Sequence, residues 1–183
     1  MKKTGLINKE TTALLVIDVQ EKLMPVVQDA EQIFANVNRL IKGVTTINVP
    51  IVITEQYPKG LGNTCAEVEI AEGIQPIEKI CFSWIQSANV LEELKARNIT
   101  SLIVCGVESH ICVLKTTLEA LEKNIEVHVV ADAVSSRTTA NKQLALERMR
   151  QSGAFIVSTE IILFQLIDEA GTDAFKTISR LIK

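Results

Sequence analysis

The chain has 183 residues, 47% of them hydrophobic and 22% charged, with a formal net charge of -3. That length suits one well-buried domain over 1–183 and is short for two, and the composition excludes a disordered protein. The charge offers no basic surface for neutralising phosphates, which argues against nucleic acid as a partner. Met1-Lys-Lys is followed by no apolar leader, and the first apolar run is far too short to cross a bilayer. Neither a signal peptide nor a membrane partner is expected, and the default location is cytoplasmic.

Thr12-Ala-Leu-Leu-Val-Ile-Asp18 is a continuous apolar run closed by a carboxylate. Without alternation it reads as a strand covered on both faces. After Pro25, Ile33, Phe34, Val37, Ile41, Val44 and Ile47 form one helical stripe. Pro50-Ile-Val-Ile-Thr54 is the second strand, with proline where no ladder donor is missed. A long connection from Glu55 to about Gln75 carries Pro58, Gly60, Gly62 and Gly73, and loops of that length are usually functional or mobile. A weaker third strand leads to Lys79, and Ser87 is expected to cap a helix ending near Asn98.

Ser101 to Cys105 reads as the fourth strand, turning at Gly106 into a helix from His110 to Asn124. Glu126 to Ala131 is the fifth strand, ending at Asp132. A helix from about Thr138 stops before Gly153. Ala154 to Ser158 is the sixth strand, and Thr159 and Asp173 are expected to cap two closing helices. Alternating strands and helices give a three-layer α/β/α sandwich on a mainly parallel six-stranded sheet. Right-handed crossovers with one reversal of winding give the order 3-2-1-4-5-6.

Ligands of such sheets bind beyond the carboxyl ends of the strands, where the winding reverses. Asp18, Lys79 and Cys112 fall on that rim. Cys112 lies in a helix's first turn, where unpaired N–H groups and the helix dipole favour a thiolate. A carboxylate beside it can take and return the thiol proton, and an ammonium can hold both anions in place. Each residue also has a plainer reading: a buried apolar cysteine, a capping aspartate, a solvated lysine. Cys65, Cys81, Cys105 and Cys112 show no Cys-x-x-Cys spacing, and His110 and His128 are the only histidines. A disulfide framework or structural zinc site is therefore not expected.

Leu-Leu-Val-Ile-Asp18-Val-Gln20, Glu78-Lys79 and Cys105-Gly106-Val-Glu-Ser-His-Ile-Cys112-Val together resemble the isochorismatase-like cysteine hydrolase superfamily. Thr54 to Gly62, Val127 to Arg137 and Ile161 to Leu166 are similar to its isochorismatase-domain-containing subgroup. The resemblance covers almost the whole chain. It implies an Asp18–Lys79–Cys112 triad and a cis peptide between Val107 and Glu108. It also implies an oxyanion hole made by the backbone N–H groups of Glu108 and Cys112. Metal-dependent nicotinamidases of the superfamily carry aspartate and histidines after strand 2. Here Glu55 to Thr64 contains neither, so no metal and no other cofactor is expected.

Gln56, Tyr57, Phe82, Trp84 and His110 are the candidates for pocket walls, with Glu55 beside them; core packing is the alternative for Phe82, and solvent exposure for His110. The reading favoured is a metal-independent cysteine hydrolase cleaving a C–N bond, of amide or carbamoyl type, in a small-molecule substrate. A low-turnover binding or interaction protein and nicotinamidase-like activity are the alternatives. A redox sensor pairing Cys112 with Cys105 is a further one. The resemblance also implies a homo-oligomer.

Overall fold

The continuous apolar runs of the sequence become the centre of the sheet, because a strand covered on both faces buries every side chain. The computed structural model describes residues 4–183, so the leader reading at Met1 to Lys3 lies outside the described residues. β1 (Thr12–Ile17) and β4 (Ser101–Val107) are buried along their whole length. They pair in parallel at the middle, flanked by β2 (Ile51–Gln56) and β3 (Ile77–Lys79) on one side. β5 (Glu126–Ser135) and β6 (Phe155–Val157) complete the other side. The order is β3-β2-β1-β4-β5-β6, all parallel, as the sequence predicts.

One face is covered by α1 (Ala30–Thr46), α6 (Thr159–Gln165) and α7 (Asp173–Ile182), whose Ile33, Val37, Leu40, Ile162 and Ile178 join one core. The other face takes α3 (Val90–Ala96), α4 (Leu114–Glu122) and α5 (Thr139–Gln151) through Val90, Leu94, Ala120, Ala145 and Met149. A single turn, α2 (Pro58–Leu61), lies in the long connection. Among the described residues no helix is long and apolar enough to cross a membrane.

Several boundaries differ from the sequence reading. Ser87 does not cap α3; it closes a tight turn over Trp84–Gln86, and Asn89, left-handed at φ 63°, leads into the helix. The closing helices are capped one residue earlier than predicted, by Ser158 and Thr172, whose hydroxyls accept from Ile161 and Phe175 N–H. β5 runs through Asp132 rather than ending there. Its pairing with β4 jumps from Val104–Val129 to Gly106–Val134, so the strand bulges over the intervening residues. The bulge turns the Asp132 carboxylate out to Thr159, whose N–H and hydroxyl donate to it at 2.8 and 3.0 Å.

The long connection is fastened more firmly than its composition suggests. Glu55 and Gln56 extend β2, and Glu55 Oε1 accepts from the Thr64 N–H and hydroxyl at 2.6 and 2.8 Å. Gly106 is the one place where β1 and β4 need a missing side chain. Its φ is +108°, and a Cβ there would collide with the Ile17 carbonyl oxygen.

Candidate active site

β1 delivers Asp18 to the carboxyl rim of the sheet. The residue sits just past the strand with φ +52°, a left-handed conformation uncommon outside glycine that aspartate tolerates better than most. The β2 register places Thr54 opposite Ile17, and the Thr54 hydroxyl donates to Asp18 Oδ1 at 2.7 Å. The β3 register places Lys79 opposite Gln56. Lys79 Nζ donates to Asp18 Oδ2 at 2.7 Å, to Gln56 Oε1 at 2.8 Å and to the Phe82 carbonyl at 3.4 Å. Both side chains of the Asp18–Lys79 pair are fully removed from solvent.

β4 leads into Ser109–Val113, which winds as a π-helical turn before α4 begins at Leu114. Such turns recur at functional sites. The turn brings the Cys112 thiol beside the Asp18 carboxylate and the Lys79 ammonium. Three residues separated in sequence thus meet in one buried cluster.

The cluster's electrostatics correct the sequence reading of a resting thiolate. Burial pushes the Cys112 thiol up, and the Asp18 carboxylate pushes it the same way, against the Lys79 ammonium. Both effects favour the thiol over the thiolate. Burial also raises Asp18, opposed by Lys79, the thiol and Thr54. A raised carboxylate is a stronger base toward the thiol beside it, which is what proton transfer at the moment of attack requires.

The Val107–Glu108 peptide is cis. Burial pushes the Glu108 carboxyl up, but hydrogen bonds and charge from Arg137 outweigh it and hold it below the usual range. Arg137 Nη2 and Nε donate to its two oxygens at 2.7 and 3.1 Å, and the Arg137 backbone N–H adds a third bond at 3.0 Å.

The residues proposed as pocket walls part company. Tyr57 and Phe82 are about half exposed, with Ile80 between β3 and Phe82 more exposed still. His110 is half-buried, its Nδ1 3.0 Å from the Ser136 hydroxyl. Gln56 is buried and positions Lys79; its Nε2 donates to the Ile80 carbonyl at 2.6 Å. Glu55 is engaged with Thr64. Trp84 is only 2% exposed, packed in the α3–α4–α5 core, with its backbone N–H donating to the Thr116 hydroxyl. It also borders a cleft of about 540 Å³, which opens among Ala13, Pro50 and Ile99 at the amino ends of the strands, away from the Asp18–Lys79–Cys112 cluster.

Cys105 and Cys112 belong to cores on opposite faces of the sheet, so the redox pairing has no geometry here. Among the described residues no group of three or more His, Cys, Asp and Glu side chains is placed to hold a metal ion.

Sequence reasoning missed Thr54, Gln20 and Arg137. Gln20 locks the Gln56 backbone, accepting from its N–H at 2.7 Å and donating to its carbonyl at 3.0 Å. The strand register could have suggested Thr54, one rung across from the end of β1. Nothing local marks Arg137, because its partner lies 29 residues away.

Known proteins share this arrangement of elements. The isochorismatase domain profile matches residues 12–161. Isochorismatase domain-containing protein 2A of Mus musculus is 41% identical over 180 residues, covering 98% of this chain and 86% of the relative. The structure of MAR1 ribonuclease from Caenorhabditis elegans superposes with a TM-score of 0.90 at 35% identity, covering 96% of this chain and 91% of that one. YcaC from Pseudomonas aeruginosa, with hexane-2,5-diol and covalent acrylamide, gives 0.89 at 25% identity, covering 97% and 92%. With the profile spanning most of the sheet and a relative this similar over nearly its full length, the chain belongs to the isochorismatase family.

Proposed function

We propose that the protein is a cysteine hydrolase that cleaves a C–N bond, of amide or carbamoyl type, in a small molecule without a metal. The observation that carries this reading is a buried cysteine thiol beside a carboxylate that is itself ion-paired with a buried lysine. The thiol proton passes to Asp18 as Cys112 Sγ forms a bond to the carbonyl carbon. The carbonyl π pair moves onto oxygen, where the N–H groups of Glu108 and Cys112 receive it. An oxyanion donor of this kind is typically worth about a hundredfold or more in rate. As the C–N bond breaks, Asp18 returns the proton to the departing nitrogen, leaving a thioester on Cys112. Asp18 then takes a proton from water, which attacks the thioester and regenerates the thiol. Lys79 keeps Asp18 aimed at the sulfur, with Gln56 accepting a second hydrogen bond from its Nζ.

Covalent acrylamide in Pseudomonas YcaC supports a reactive nucleophile in a protein of this fold and no more, since acrylamide adds at its vinyl carbon and keeps its amide. The ribonuclease named for the Caenorhabditis neighbour is a weaker guide. A net charge of -3 disfavours a polyanion, and Lys79 is already committed to Asp18 and Gln56. The test is ammonia release from a panel of small amides and ureides, nicotinamide included, with an RNA oligomer alongside. Turnover of at least one amide by the wild type, abolished in Cys112→Ala, is expected. Turnover that persists in Cys112→Ala removes the nucleophile.

A further inference from the structure

The corner that ends β5, Ser135-Ser136-Arg137, touches the nucleophile segment at two places. Arg137 gives three donors to the Glu108 carboxylate, whose side chain is only 3% exposed. Ser136 Oγ lies 3.0 Å from His110 Nδ1. The corner is itself fixed from behind by Gln28, which follows the turn after β1. The Gln28 N–H donates to the Ser136 carbonyl at 3.0 Å, and its Nε2 donates to the Arg137 carbonyl at 3.1 Å. The Ser135 hydroxyl donates to the Gln28 carbonyl at 2.6 Å. Glu108 is held from its other end as well, its carbonyl accepting from the Ile111 and Val113 N–H groups at 3.0 and 3.3 Å.

A carboxylate this well buried needs partners, and a planar guanidinium that meets both its oxygens fixes direction as well as distance. We propose that Arg137 is a positioning residue for the reaction: by clamping the Glu108 side chain it sets where the Glu108–Cys112 segment offers its backbone donors to the oxyanion. Arg137 touches no member of the triad in the contacts above, so its effect falls on the developing oxyanion and leaves the thiol's activation intact. The inference rests on Cys112 being the nucleophile.

A small aldehyde separates these roles without requiring the natural substrate. In hemithioacetal formation, Cys112 Sγ bonds to the aldehyde carbon, the C=O π pair moves to oxygen, and the thiol proton reaches that oxygen through Asp18. Alkylation by iodoacetamide breaks a C–I bond and needs no oxyanion donors. The adduct of carbon-13-labelled propionaldehyde is followed by NMR, and the iodoacetamide rate at Cys112 by peptide mass spectrometry. Arg137→Met is expected to weaken the adduct by about tenfold or more, the scale of a misplaced reacting group. The alkylation rate should stay within about twofold, because the Asp18–Lys79 pair is untouched. Arg137→Lys should recover part of the loss, since an ammonium restores charge without the fork.

If adduct and alkylation fall together, Arg137 is structural support only and the inference is overturned; if neither changes, it is equally overturned. Should Arg137→Met fail to fold, Glu108→Gln takes its place, and the same divergence between the two probes is expected from it. A wild type that forms no adduct at Cys112 overturns the nucleophile reading itself, an outcome visible before any variant is made.

Discussion

Removing Asp18 or Lys79 should move the Cys112 titration in opposite directions. Asp18 disfavours the thiolate and Lys79 favours it, so Asp18→Asn lowers the thiol's pKa and Lys79→Met raises it further. The carboxylate and the thiol share one buried cluster, and two charges in direct contact lie about 4 Å apart. At an effective dielectric of about 20 that repulsion is worth about 4 kcal/mol, or about three pH units at the upper limit. Relaxation around the unpaired Lys79 reduces it, and a downward shift of about two units is expected. The assay is the pH dependence of iodoacetamide alkylation at Cys112, resolved by peptide mass spectrometry. Cys65 serves as the internal comparator, its thiol pushed up to about 11 by burial and then by Glu67 and Glu21. Asp18→Asn should therefore alkylate faster than wild type at neutral pH while losing turnover by about a hundredfold or more, since the base is gone. It should also lose about 3 kcal/mol of stability, because a buried ammonium keeps no counter-charge. A midpoint that rises in Asp18→Asn, or falls in Lys79→Met, refutes the electrostatic reasoning.

Three other outcomes follow from the geometry. Gly106→Ala places a Cβ against the Ile17 carbonyl at φ +108° and should cost about 3 kcal/mol or more in denaturant unfolding; a loss below about 1 kcal/mol would mean that the central strands can part there. Thr54→Val removes a hydrogen bond to the charged form of Asp18. The Asp18 pKa then rises further, and the acid limb of kcat/KM should move to higher pH by about one unit; an unmoved or lowered limb contradicts Asp18 as the base. Gln56→Leu takes away one of the three acceptors around Lys79. It should reduce turnover by about tenfold with Cys112 still alkylated, and unchanged kinetics would reduce Gln56 to a packing residue.

The fold was legible because the strongest sequence signal coincided with the strongest physical constraint. Apolar runs at 12–17 and 101–105 can be satisfied only at the centre of a parallel sheet, and that centre is where winding reverses. The Asp18–Lys79–Cys112 cluster was legible for the same reason: each member sits at or beyond the end of a strand, so topology alone gathers them. What escaped depended on register or on distant partners. Ser87 reads as the helix start, but the chain enters α3 two residues later, from a left-handed Asn89. Gln56 reads as a pocket residue until the β2–β3 register sets it against Lys79. The protonation of Cys112 was the largest revision. A helix start argues for thiolate, but burial and an adjacent carboxylate outweigh it, and neither is visible without the third dimension.

The central claim is an acyl group carried on Cys112 during turnover. Its most direct measurement is acid quench of the wild type turning over an amide identified in the panel, followed by intact and peptide mass. The account predicts an added mass equal to the acyl moiety, confined to the peptide bearing Cys112 and absent from Cys112→Ala. It also predicts that hydroxylamine removes that mass, as it does from thioesters. Steady turnover with no acyl mass at Cys112 under rapid quench, or with that mass on another residue, would contradict it.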